Sequence, residues 1–215
     1  MVIIDAVVLA GGHSSRLGGS AKAALVFDGQ TLLERTLDAV AIARDLVVVG
    51  DAGVVCLAAP ASSASVVRES PPFSGPAAGI AAGLDYLAGI SATASDFTLV
   101  LACDMPRVAD AVSMLLAGLD ADGPGAVAVS PDGQVQWLAG IYRTALLLQS
   151  CRRHRTRGDL ENLSVRGLLD SLEAQRLTVP VGSTDDVDTP ADTDRFGIAI
   201  PARPEPLSAS TLERL

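Results

Sequence analysis

The segment with the most chemistry in it is Leu9-Ala10-Gly11-Gly12-His13-Ser14-Ser15-Arg16-Leu17-Gly18-Gly19-Ser20-Ala21-Lys22. Its glycines let backbone N–H groups approach an anion closely, and such a nest together with Arg16 and Lys22 would neutralise a polyphosphate. It is not a Walker loop, which needs Gly-Lys-Ser/Thr after four spacer residues, and it has no G-x-G-x-x-G dinucleotide fingerprint. A plain glycine-rich loop is the other reading of the same composition. Two more apolar runs end in residues of interest, Val49-Gly50 and Leu101-Ala102-Cys103-Asp104. Ligands of doubly wound sheets sit beyond the carboxyl ends of the strands, so parallel strands would bring these three ends to one cleft. Cys103 has no histidine near it in sequence and is expected to be a small buried side chain rather than a nucleophile. His13 and His154 are the only histidines, which argues against a histidine metal site or triad.

The elements that must position these loops follow from short apolar runs alternating with helical patterns, the signature of an α/β fold. Ile3 to Leu9, Leu46 to Val49 and Phe97 to Leu101 read as buried strands, each followed by a small residue. A capping box, Thr31-x-x-Glu34, opens a helix with Leu33, Leu37 and Val40 on one face. Gly75-Pro76 opens another, since proline suits the first helical turn, with Ile80, Leu84 and Leu87 following. Val108, Val112 and Leu115 mark a third. Ala126 to Val129 and Leu138 to Tyr142 read as a hairpin about Pro131-Asp132-Gly133, added to the sheet. One domain is expected over residues 1–200, with the proline-bearing residues 201–215 as a tail.

The composition narrows the classes. The 215 residues are 49% hydrophobic and 19% charged, too apolar for disorder, yet no stretch is long and apolar enough to span a bilayer. The formal charge of −9 repels nucleic-acid backbones, so no nucleic-acid or membrane partner is expected. Three scattered cysteines and no visible targeting signal point to a cytoplasmic protein. Within this acidic chain, Arg152-Arg153-His154-Arg155-Thr156-Arg157, with Arg166 beyond, stands out. A solvated helix face is the default for such a run.

The loop L-A-G-G-x-S-x-R-L-G with a following lysine resembles the signature of the MobA-type nucleotidyltransferases, the molybdenum cofactor guanylyltransferases and their relatives. Three further motifs match in order: Glu69 ahead of Gly75-Pro76-Ala77-Ala78-Gly79, Cys103-Asp104-Met105-Pro106, and Asp186-Val187-Asp188-Thr189-Pro190. Together they cover residues 3–196. The resemblance implies a Rossmann-like, three-layer α/β domain of the nucleotide-diphospho-sugar transferase type with a mostly parallel sheet. It implies that Leu9, Ala10 and Gly11 hold the nucleotide through backbone contacts, with Gly12 and Arg16 bracing the phosphates. Lys22 would contact the triphosphate and stabilise departing pyrophosphate. Gly50 would lie beside the base or ribose, and Glu69 would be an acidic nucleotide contact. Asp104 would bind Mg²⁺, a hard cation suited to carboxylate and phosphate oxygens, with Asp188 completing the metal site or serving only as a turn residue before Pro190.

The implied reaction transfers GMP from GTP to the phosphate of molybdenum-molybdopterin, with Lys22, Asp104 and Arg16 as catalytic residues. The L-A-G-G form leans towards the guanylyl branch. CTP or another phosphorylated acceptor is the nearest alternative, and a non-catalytic nucleotide-binding module is the alternative of a different class. A labile pterin acceptor would be consistent with a delivery protein. Several arginines of the 152–157 run could grip the acceptor's phosphate. Two positions depart from the family pattern: Ala21 stands where aspartate often precedes the lysine, and Gln136-Trp137-Leu138 stands where Q-P-L is common. Trp137 offers a flat surface to a pterin or base, or packs in the core.

Overall fold

The computed structural model describes residues 2–11, 21–62 and 64–199; Gly12, Arg16 and the tail after residue 200 lie outside them. Along the chain run β1 (Ile4–Leu9), a short 3₁₀ turn (Lys22–Ala24), β2 (Val26–Phe27), β3 (Gln30–Thr31), α1 (Leu32–Ala39), β4 (Leu46–Val49) and α2 (Ala52–Ala58). Then come β5 (Ser65–Val67), α3 (Pro76–Ile90), β6 (Phe97–Ala102), α4 (Val108–Ala117), β7 (Gly125–Val129) and β8 (Val135–Arg143). The last elements are α5 (Thr144–Arg157), α6 (Val165–Leu169), β9 (Gln175–Thr178) and α7 (Pro190–Phe196). Seven strands form one sheet in the order β5-β4-β1-β6-β8-β7-β9, parallel except for β8, and β2 pairs with β3 in a small ribbon.

All six residues of β1 are buried because helices cover both faces of the sheet. Its side chains alternate between two cores. Ala6 and Val8 pack with Leu33 of α1 and Val108, Val112 and Leu115 of α4. Val7 and Leu9 pack with Ile80 and Leu84 of α3, Leu147 and Cys151 of α5, and Leu168 of α6. A satellite core of Leu25, Phe27, Leu32, Val187 and Ile198 joins the start of the chain to its end.

The predicted strands, the Thr31–Glu34 capping box and the Pro76 helix start are all present. The expected hairpin is antiparallel, and its second strand, β8, is the one that pairs with β6. Its register slips, with Val127 opposite Gly140 but Ala128 opposite Gln136. The bulge re-aims the intervening residues, and Leu138 lines the cavity beyond the strand ends. The Tyr142 hydroxyl donates to the Trp137 carbonyl across it at 2.8 Å. Sequence reading did not anticipate α2, β5, β9 or α7. They are short, and β9 has only one residue that is not exposed, so no apolar periodicity marks them. Among the described residues no helix is long and apolar enough to cross a membrane.

Candidate active site

The ladder hydrogen bonds continue past the strand ends and hold the site loops side by side. Ala10 N–H donates to Val49 O at 2.9 Å, Gly50 N–H to Val67 O at 2.9 Å, and Cys103 N–H to Leu9 O at 3.1 Å. Gly50 lies so close to the β1 loop that a Cβ there would come 3.2 Å from the carbonyl carbon of Ala10. Above these ends opens a cavity of about 530 Å³, lined by Leu9, Ala10, Gly11, Lys22, Gly50, Glu69 and Asp104 among others. Every nucleotide-contact residue expected from the sequence and described in the structure therefore faces one space. Gly12 and Arg16 fall outside the described residues.

Asp188 is brought to the same place by tertiary packing. Val187, fully buried in the satellite core, hydrogen-bonds through its N–H to the carbonyl of Asp104 at 3.0 Å. The Asp192 carboxylate accepts from the backbone N–H groups of Asp188 and Thr189, in a capping box that starts α7. The result is a charge cluster at the cavity mouth: the Lys22 ammonium donates to Asp104 at 3.1 Å and also to Asp188. Burial alone would lower the Lys22 pKa, but the two carboxylates outweigh it and the net direction is upward, so the ammonium stays charged. Desolvation, then the charges of Asp188 and Asp104, push Asp186 up. Burial likewise pushes the Cys103 thiol far up, in keeping with a packing role.

The donor set fits a divalent cation. Asp104 and Asp188 already converge on one positive charge, the Lys22 ammonium, and their oxygens are the hard ligands Mg²⁺ takes. Asp186 feels the charges of Asp188, Asp104 and Lys22, so among the described residues this cluster is net negative, a field that favours a counter-cation beside a triphosphate. Among the described residues no three acidic, histidine or cysteine side chains form a metal-binding group by themselves, so phosphate or water oxygens would complete the shell.

Several lining residues were not anticipated. Arg68 lies 3.3 Å from Asp51, with its guanidinium 4.8 Å from the centre of the Phe73 ring, and both residues line the cavity. Glu69 accepts the Phe73 N–H at 2.9 Å, and Phe73 has φ +66°, a conformation unusual for a bulky residue. Gly75, with φ +90°, turns the chain so that the N-terminus of α3 enters the site. The only sequence signal for Arg68 was its place beside Glu69.

The arginine run occupies the C-terminal half of α5, where cations complement the helix dipole. Arg155 pairs with Asp85 of α3 at 2.7 Å, and Arg153 donates to Ser171 at 2.8 Å. None of the run lines the 530 Å³ cavity; Arg155 lines a neighbouring one of about 420 Å³ that shares Arg68 with it. Trp137 packs at the edge of the α3–α5 core and lines a separate groove with Arg166 and Arg176.

The profile of the MobA-like NTP transferase domain matches residues 6–175. A molybdenum cofactor guanylyltransferase from a Shewanella species is 28% identical over 134 residues, which cover 62% of this chain and 65% of that protein's length. The solved structure of molybdopterin-guanine dinucleotide biosynthesis protein A from Archaeoglobus fulgidus superposes with a TM-score of 0.64 at 20% identity, covering 89% of this chain and 96% of that one. The 2-C-methyl-D-erythritol 4-phosphate cytidylyltransferase from Thermus thermophilus superposes with a TM-score of 0.62 at 21% identity, covering 91% and 97%. The two structures show a shared nucleotidyltransferase fold, and with the profile covering most of its length this chain belongs to the MobA-like NTP transferase domain family.

Proposed function

We propose that this protein transfers a nucleoside monophosphate from a nucleoside triphosphate to a phosphorylated acceptor, with GTP as donor and a molybdopterin-type acceptor. The observation that carries the reading is Lys22 held between Asp104 and Asp188 at the mouth of a cavity rimmed by the ends of β1, β4 and β6. The backbone from Leu9 to Gly11 and the Gly50 turn hold the nucleoside, and Glu69 lines the same space. An oxygen of the acceptor's phosphate attacks the α-phosphorus, the bond from that phosphorus to the bridging oxygen breaks, and pyrophosphate leaves with the electron pair. Lys22 takes up charge on the leaving group, and positioning supplies most of the rest. Mg²⁺ on Asp104 and Asp188 would neutralise the α-phosphate.

The guanylyl choice is supported by the L-A-G-G loop and by the name of the Shewanella relative. A cytidylyl reading is supported by the shared fold with the Thermus enzyme. Pyrophosphate release, measured with each of GTP and CTP in the presence of molybdenum-molybdopterin, separates them. Release with GTP alone is expected; release with CTP alone would move the protein to the cytidylyl side, and release with neither would contradict transfer to this acceptor.

A further inference from the structure

The carboxyl ends of β6, β1, β4 and β5 follow one another across the sheet, so the 530 Å³ cavity runs over three strand spacings, about 14 Å. Its β6 end is the charged one, where Lys22, Asp104 and Asp188 suit phosphates and a cation. Its β5 end differs in kind: Arg68, Glu69 and Phe73 stand there with Asp51, and all four line the cavity. On the proposed reading, a nucleotide whose phosphates lie at the first end carries its base to the second.

Arg68 is held at that second end as a flat fork rather than a mobile charge. The Asp51 carboxylate is fixed first, its Oδ1 accepting from Gly53 N–H at 2.9 Å and Val54 N–H at 3.3 Å. Its Oδ2 accepts from Arg68 Nη1 at 3.3 Å. The guanidinium carbon lies 4.8 Å from the centre of the Phe73 ring, and the Phe73 N–H is tied to Glu69. Pairing and stacking together set the plane of the guanidinium. Nε and Nη2 make no hydrogen bond among the described residues, and the side chain is 37% exposed. Asp51 and Phe73, which the guanidinium touches, both line the cavity, so the fork stands at its rim.

Nucleobases differ in what they offer such a fork. Guanine presents two adjacent acceptors, O6 and N7, which match two parallel N–H groups of an arginine. Adenine puts its N6 amino donor where guanine has O6, and cytosine offers only its N4 amino donor on that edge. We propose that Arg68 selects the base, Nε and Nη2 donating to guanine N7 and O6 while Nη1 stays on Asp51. The inference rests on the proposed nucleotide site and adds to it the residue that separates GTP from CTP and ATP.

The test measures the affinity of the full chain, with Mg²⁺, for GTP and for 7-deaza-GTP, in which a C–H replaces N7. It is made on the unaltered protein, Arg68→Met and Arg68→Lys. Methionine keeps a stem against Phe73 and lysine keeps the charge beside Asp51, but neither has the fork. The unaltered protein is expected to bind 7-deaza-GTP about tenfold more weakly than GTP. Both variants are expected to bind GTP at least that much more weakly and to treat the two nucleotides alike. The first comparison needs no variant to fold. Equal binding of the two nucleotides by the unaltered protein, or undiminished discrimination in the variants, overturns the role of Arg68 and leaves the transferase reading in place. If the unaltered protein binds neither nucleotide, that reading falls and the assignment of Arg68 falls with it.

Discussion

The two ends of β1 carry the same motif built in two ways: one cation shared by two carboxylates. At the carboxyl end, Lys22 lies between Asp104 and Asp188, with side-chain exposures of 23%, 23% and 46%. At the amino end, Arg44 lies between Asp5 and Asp45, and Asp5 is only 4% exposed. A lysine ammonium is a compact charge on a flexible stem and can move from carboxylate to phosphate. An arginine fork holding a buried carboxylate is committed to its geometry. The upper cluster is therefore built to exchange partners, whereas the lower one is built to hold them. Under the proposed function, reaction chemistry belongs to the first end and anchoring to the second.

Breaking the upper cluster should abolish turnover without unfolding the chain. Asp104→Ala and Lys22→Ala are each expected to lower kcat about 10²- to 10³-fold, the scale of removing one charge-stabilising group, with melting temperature little changed. Steady-state pyrophosphate release and circular dichroism together check this. Breaking the lower cluster should do the reverse: Arg44→Ala leaves Asp5 buried and uncompensated and is expected to cost about 3 kcal/mol of stability in a urea titration. Nucleotide affinity measured on the folded fraction should stay the same. If Arg44→Ala damages turnover more than stability, the contrast between the ends is wrong.

Smaller effects sharpen the picture. Substituting Arg155 and Arg157 together is expected to raise the acceptor KM by about tenfold, ~1.4 kcal/mol, with nucleotide affinity unaltered. Equal loss of both would return the run to a purely structural helix face. Removing the α7 cap with Thr189→Ala should cost about 1 kcal/mol and loosen the Asp188 loop. Hydrogen bonds from Thr189 hold the Asp192 carboxyl below the usual carboxylate value, so its contribution is present above pH 3.8 and disappears as pH falls through the depressed folded value. Asp192→Asn should lack that acid-side loss, which a stability–pH series would reveal.

The site was legible in sequence wherever chemistry and backbone sit in one loop. Leu9 to Gly11, Lys22, Gly50 and Asp104 follow apolar runs whose ends a parallel sheet must bring together, and they face one cavity. The strands that carry them are continuously apolar because both faces are covered. Asp188 was harder to place, because its approach to Lys22, 166 residues away in sequence, depends on Val187 filling a satellite core. Phe73 carries no pattern and Arg68 only its place beside Glu69, since the short β5 before them has only three residues. The antiparallel insertion of β8 was half visible: the hairpin has a turn signature, but pairing with β6 is decided by the buried face the finished sheet offers. Asp5 is one polar residue at the start of an apolar strand, and nothing local in the sequence marks Arg44 as its partner.

Under the proposed function, the cavity at the carboxyl ends of β1, β4 and β6 binds a nucleoside triphosphate together with a divalent cation. Thermal unfolding in GTP, CTP, ATP and UTP, each with and without Mg²⁺, tests it most directly. At about 100 times its Kd a bound nucleotide adds ~2.7 kcal/mol to the folded state. A rise with GTP that grows with Mg²⁺ and vanishes in Asp104→Ala is expected. No rise with any of the four nucleotides, or a rise indifferent to both Mg²⁺ and Asp104, would contradict it.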